Sequence, residues 1–518
     1  MLQARKLLVL LLVTVTVLTS FVACDNTAPD PAPGSDTQGE ESGSSSESSV
    51  ESTEENTDPI GNGILAGVTF DGTVIYVLKG SSMELDEYVE ELTEGSSLID
   101  QAVYNRCDYA ENRLNVRTQW TPVGTDIVDV ADRHNSNGGT YDIIANKSSY
   151  SAALMTRGVL SNLTQYPYMD FESEGWAFSL LSDVKVGNKL YFATGDISTN
   201  LIFMTSVIFF NKDLVKDLGI NEKIQSRWEK NDLYELVSSG AWTLDKMITL
   251  SENVYLDKNN SGAKDYGDRF GFNTYSNLLE NFYYGGGYTT ITTGDDGFTV
   301  SEDFLNPQIV GALLETVNDF LHDSNDGVIE SGTKNANYDE ARWNFSAGNV
   351  LFCMAPASHA YNTHSNTDKL EYGVLPIPKH SEQQDRYACT QSFPYCMYSI
   401  TSQGKHPVEA SAFLQALAEE SYKVTRPALF DKMMKGRYAE SPEDAQMWEY
   451  AVDANVFDVG RVFQELFEDT NEGYLTVNLF RNRVKDDNEN WSAVLSTYML
   501  PLLQKASALA GVIMALPD

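Results

Sequence analysis

Apolar positions along the chain follow two periods. Short β-rich runs alternate with stretches whose apolar residues recur every three to four positions, the mark of α/β layering. "GTVIYVLKG" (72–80) predicts a strand, and "SLIDQAVYNRCDYAENRL" after it predicts an amphipathic helix. "NVRTQWTPV" and "DIVDVADRHNS" repeat the pair. "YDIIANKSSY" (141–150) predicts a third strand running into a polar loop, and "VIFFNKDLVKDLGI" (207–220) a strand and then a helix closed by Gly219. In "NPQIVGALLETVNDFLHD", Asn306 is the expected N-cap and Pro307 the first helical residue, ahead of the apolar face of Ile309, Val310, Leu313, Leu314, Val317 and Leu321. Pro407 repeats the device at "HPVEASAFLQALAEES".

The N-terminus departs from this pattern. Arg5 and Lys6 precede "LLVLLLVTVTVLTSFVAC", an apolar run thinned by Thr14, Thr16, Thr19 and Ser20 and therefore an export signal in form. Cys24 after Val22-Ala23 resembles a bacterial lipobox, although Phe21 stands where Leu is usual. That resemblance implies cleavage after residue 23 and acylation of Cys24; the alternative is an uncleaved membrane anchor. Residues 24–63 are rich in Ser, Glu, Pro and Gly, with ten acids and no Lys or Arg within 25–60, so this segment predicts an extended acidic tether.

The remainder, from about 64 to 518, is too long for one core and predicts two domains. Removing leader and tether leaves 64 acids against 34 bases, a net of about −30 within a chain of net charge −38. Such a surface argues against a nucleic-acid partner, whose phosphates need a basic face. Besides Cys24 there are four cysteines and no CxxC pair; Cys389 and Cys396 are close enough in sequence to bridge or to remain buried thiols.

Enzyme motifs are absent: no HExxH, GxSxG, GxxxxGK[ST] or helix-opening GxGxxG occurs. His359 and His364 are close in "SHAYNTHSN" but have no third Cys or His beside them, so zinc is not expected. No organic cofactor is expected either.

Six segments in order carry a family resemblance. "VIFFNKDLVKDLGI" resembles the NK-containing segment of extracellular solute-binding proteins of ABC importers, the class that includes maltose-binding-type proteins. "YDIIANKSSYSAALMTRGVLSNL" (141–163), "VGNKLYFAT" (186–194), "SSGAWTLDKM" (238–247), "NFSAGNVLFCMAP" (344–356) and "YGVLPIPKH" (372–380) resemble further stretches of that family. The resemblance implies an α/β, two-lobed periplasmic-binding-protein-like fold (type II), with ligand clamped between lobes joined by crossover hinge strands. Crossovers are expected near Thr205 and Pro376, giving lobe 1 as 64–205 plus 376–425 and lobe 2 as 206–375 plus 426–518.

Ligand is expected beyond the carboxyl ends of the strands. This places Asn146, Ser148 and Tyr150 after one strand, Asp196 after "KLYFA", Tyr283 and Tyr284 after "LLENF", and Ser358 after "VLFCM". Trp343 joins Tyr150, Tyr283 and Tyr284 as a candidate aromatic platform for a sugar. The run Gly285-Gly286-Gly287 is either a close approach to ligand or a flexible turn. The implied function is capture of a small solute, an oligosaccharide above all, by a monomer on the outer face of the cell membrane, for ABC permease subunits. A surface glycan-degrading enzyme and a ligand-sensing module for a membrane sensor are the alternatives, and the enzyme would need a carboxylate pair in a groove.

One motif stands apart. "DKNNSGAKDYGD" scans as a calcium loop with Asp257, Asn259, Ser261, the Ala263 carbonyl, Asp265 and Asp268 as oxygen ligands and Gly262 at the sharp turn. With no nucleophile nearby, the expectation is a structural Ca2+ clip; the alternative is a Gly/Asn-rich turn.

Overall fold

The computed structural model describes residues 63–81, 83–124, 127–294, 297–329, 338–361 and 370–517. Leader, Cys24 and most of the tether lie outside the described residues, as does His364. All described elements fall in one unit, Pro59–Asp518.

Two sheets organise this unit. Strands β1 (Thr73–Gly80), β2 (Val116–Val123), β3 (Ile143–Lys147) and β11 (Cys396–Ile400) pair in the order β11-β3-β1-β2, with only β11 antiparallel. The second sheet pairs β10 (Tyr372–Leu375), β4 (Ser206–Asn211), β9 (Val350–Pro356), β5 (Phe270–Thr274) and β8 (Gly327–Ile329) in that order. Here β4 runs antiparallel to both of its neighbours. Every residue of β4 and of β5 is buried, as strands covered on both faces require. A separate hairpin joins β6 (Ile291–Gly294) to β7 (Gly297–Val300).

Local chemistry fixes the helix ends. Helix Leu98–Leu114 starts in a capping box between Ser97 and Asp100 and stops at Asn115, which takes the left-handed conformation at φ 50°. Asn306 caps helix Pro307–Asn318 through the Gln308 N–H, with Pro307 in the first turn. Helix Trp491–Ala515 has the length and hydropathy of a membrane span, yet packs along the body through residues such as Leu502, Leu509 and Ile513. It starts at Phe304, whose carbonyl accepts the Trp491 indole N–H at 2.9 Å, and its end reaches Tyr191, whose hydroxyl donates to the Pro517 carbonyl at 2.8 Å.

Three differences from the sequence reading have physical causes. The polar loop expected after β3 is helix Ser148–Thr156. Ser148, Ser151, Ala152 and Met155 are buried at helical spacing, and small serines hide that period in a hydropathy profile. "VGNKLYFAT" forms no regular strand: it opens with a tight turn in which Val186 bridges Lys189, and Ala193 then bridges Tyr398.

The chain also does not return near Pro376. It stays with the second sheet's helices through Tyr387: the Pro376 carbonyl accepts the Trp242 indole N–H at 3.0 Å, and the Tyr387 hydroxyl donates to Val237 O at 2.9 Å. Crossing occurs beside Thr205, which bridges Gln391, while the Ser206 N–H donates to Thr390 O at 2.8 Å. A third crossing runs alongside, Asn455 bridging Cys389. A Pro pair ends a strand without specifying which lobe receives the chain next. Segment 459–467 then touches both lobes: Phe463 packs on Phe192 at 5.6 Å and on Phe298 at 5.9 Å.

Candidate ligand-binding cleft

Beyond the crossings lies a cleft enclosing about 290 Å3. Glu84 reaches it from the chain after β1, Tyr275 and Asn277 from after β5, and Pro356 and Ser358 from the last residue of β9 and just beyond it. These are carboxyl ends of parallel strands, where an open sheet leaves room for a ligand. Met204, Ser392 and Phe393 line it from the crossing segments, and Arg461, Gln464 and Tyr474 from the C-terminal part. Tyr275, Phe393 and Tyr474 supply aromatic faces.

Charge is concentrated here as Arg342, Arg461 and Arg481. Arg481 is fully committed: Nε and Nη2 donate to Glu280 at 2.9 and 2.7 Å, and its other contacts are Asn277 O and Asn478. Arg461 pairs more loosely with the same carboxylate, at 3.5 Å, and donates from Nη1 to Thr390 at 3.2 Å. Its guanidinium lies 4.9 Å from the Phe393 ring centroid. Burial, and then the Arg342 charge, push the His359 imidazole down to about 3, so it is neutral. His359 Nε2 and Ser392 Oγ are buried with no hydrogen-bond partner among the described residues. Both residues line the cleft.

Of the residues read from the sequence, Ser358 lines the cleft, with Ala355 and Pro356. Trp343 is 46% exposed and sits beside the lining Arg342. Tyr150, half-buried, lies within electrostatic reach of the lining Tyr474. Asn146 and Ser148 are buried at the end of β3 and do not line the cleft. Asp196 pairs with Arg426 at 3.0 Å instead. Burial raises its carboxyl above the usual range against the opposing pull of that arginine.

Tyr283 and Tyr284 belong to the core, on a short helix Asn281–Tyr284 and not at a strand end. The glycine run is a turn, with Gly287 at φ +76°, but a packed one: a Cβ at Gly286 would lie 2.5 Å from His380 Nδ1, and one at Gly285 2.7 Å from Ile377 Cγ2. These glycines allow close packing against segment 377–380. Arg461, Tyr474 and Arg481 were missed because their approach depends on the third crossing, and Phe393 because it lies on the second, displaced from Pro376; sequence spacing gives no signal for either.

The loop 257–268 turns as expected at Gly262, φ +76°. Asp257 accepts the N–H groups of Ser261 and Gly262 at 3.2 and 2.8 Å, and Asn259 Nδ2 donates to Asp265 at 2.9 Å. Asp268 is fully buried and accepts the Lys258 N–H at 3.0 Å and the Tyr255 hydroxyl at 3.2 Å. The donor set is all oxygen, which suits calcium chemically. Among the described residues no three His, Cys, Asp or Glu side chains converge as metal ligands. Cys107, Cys353, Cys389 and Cys396 are free and buried.

Two α/β lobes joined by crossing segments, with a cleft at the strand ends, define the architecture of a two-lobed binding protein. The family model of the bacterial extracellular solute-binding proteins matches residues 92–424, and the chain belongs to that family. Its fold is similar to that of the GacH receptor of Streptomyces glaucescens GLA.O, solved unliganded and with acarbose, at TM-score 0.52 and 13% identity over 84% of this chain and 99% of that one. It is likewise similar to a cyclo/maltodextrin-binding protein complexed with maltotetraose, at TM-score 0.52 and 11% identity over 86% and 98%. No curated protein matches the chain.

Proposed function

We propose that the protein captures an extracellular oligosaccharide in the cleft between its lobes and delivers it unchanged to the permease of an ABC importer, as a lipoprotein held to the outer face of the cell membrane through Cys24. The observation that carries this reading is the cleft itself. Tyr275, Phe393 and Tyr474 offer apolar faces for the C–H surfaces of a sugar, and His359 Nε2, Ser392 Oγ and Asn277 stand ready for its hydroxyls. Family membership and the acarbose and maltotetraose complexes of similar folds support the same class of ligand. The crossing segments, which run side by side through the Thr205–Gln391 and Cys389–Asn455 bridges, form a hinge about which two lobes can close.

The loop 257–268 is a calcium clip in this reading, remote from the cleft and structural in role. Thermal shifts across a glycan panel, run beside an assay for product, test the proposal. Stabilisation without turnover supports capture, whereas release of shortened glycan contradicts it.

A further inference from the structure

We infer that the cleft takes an acidic sugar, an oligosaccharide bearing a carboxylate, with Arg461 and Arg342 as the groups that receive the anion. The inference rests on the carbohydrate-capture reading and names the ligand class within it. Three arginines line the cleft of a chain whose net charge is −38. Among the described residues the carboxylates around Arg461 and Arg481 are the exposed Glu84, the buried Glu280 behind the wall, and the buried Asp458, which accepts from Thr290, Tyr284 and the Arg461 backbone N–H. Glu280 serves two guanidinium groups at once, with its best geometry spent on Arg481.

Arg461 is therefore only partly compensated, although it is 7% exposed. Burying a guanidinium without a full counter-charge is costly, and the cost is removed when an anion enters. Its Nε and Nη2 have no partner among the described residues, while stacking against Phe393 fixes the plane of the fork. A planar carboxylate fits such a fork in bidentate geometry, as it does not fit a lysine, and no lysine lines the cleft. Arg342 lines the same cleft and lies near enough to depress the His359 imidazole, so a second positive charge stands beside a neutral ring suited to a hydroxyl. The acidic exterior does not oppose this at physiological salt, where the screening length is about 8 Å.

The test is calorimetric titration of the purified full chain with acidic trisaccharides built on galacturonate, mannuronate and glucuronate, each beside a neutral oligosaccharide of the same length. At least one acidic sugar is expected to bind tenfold or more tighter than its neutral counterpart. Arg342→Gln and Arg461→Gln should each weaken that binding about tenfold or more, with a larger loss for the acidic than for the neutral ligand. If Arg461→Gln does not fold, the Arg342 variant and the salt dependence of binding decide. Tighter binding of neutral sugars overturns this inference and leaves carbohydrate capture standing; acidic binding indifferent to both variants also overturns it. Failure of every glycan to bind overturns both.

Discussion

Glu280→Gln isolates the arrangement behind the cleft. Glu280 is 2% exposed and holds Arg481 through two bonds of 2.9 and 2.7 Å and Arg461 at 3.5 Å. Glutamine keeps the shape but turns an NH2 toward guanidinium donors, leaving two buried positive charges without a counter-ion. Breaking a buried pair from one side costs about 3–5 kcal/mol. Unfolding entropy is about 2.1 cal/mol/K per residue, so a body of roughly 450 ordered residues has ~0.9 kcal/mol/K and the melting temperature should fall about 3–5 °C. Differential scanning calorimetry of the full chain reads this, with separate transitions fitted if the lobes melt separately. The same change adds one positive charge to the cleft, so an acidic sugar should bind the variant more tightly. A shift below about 1 °C with unchanged affinity would refute the role given to Glu280.

Other expectations follow from single features. Phe393→Ala removes the face on which Arg461 rests and should weaken glycan binding about tenfold, or ~1.4 kcal/mol, by titration. Gly286→Ala forces a Cβ to 2.5 Å from His380 and should cost about 1–3 kcal/mol in denaturation, whereas an unchanged midpoint would show that the run is slack. His359 has its folded value lowered to about 3 from 6.5, so the unfolded chain binds the extra proton between those values. Stability should thus fall as pH drops from about 6.5 toward 3, and His359→Gln should flatten that part of the profile. Chelation by EDTA should lower the melting temperature and added calcium restore it; a melt indifferent to EDTA removes the calcium clip.

How far the sequence reveals the molecule can be judged element by element. The strand at 73–80 and the helix at 98–114 are plain because period, cap and stop agree: Ile75 and Val77 alternate inward, Ser97 and Asp100 cap, Asn115 ends. Family order makes strand ends legible, since "NK" stands at the end of β4 and "P-P" just after β10, but not which lobe the chain enters after the prolines. Helix Ser148–Thr156 is hidden because serine and alanine bury its inner face with little hydropathy contrast.

The cleft is legible where a strand end dictates it, as at Ser358. It is illegible where tertiary routing does, as at Arg461 and Tyr474, which arrive only by the third crossing. Tyr283 and Tyr284 misled because an aromatic pair next to glycines suits a platform and a tightly packed core equally well. Only the approach of Ile377 and His380 to the glycines distinguishes the two.

The most direct test of capture without chemistry is equilibrium dialysis of the full chain against a mixed panel of neutral and acidic oligosaccharides, with bound and free sugar identified by mass spectrometry. The account predicts saturable retention of about one oligosaccharide per chain, recovered intact after denaturation and lost on substituting Arg461 and Phe393 together. Retention of no glycan, or recovery of it in shortened form, would contradict it.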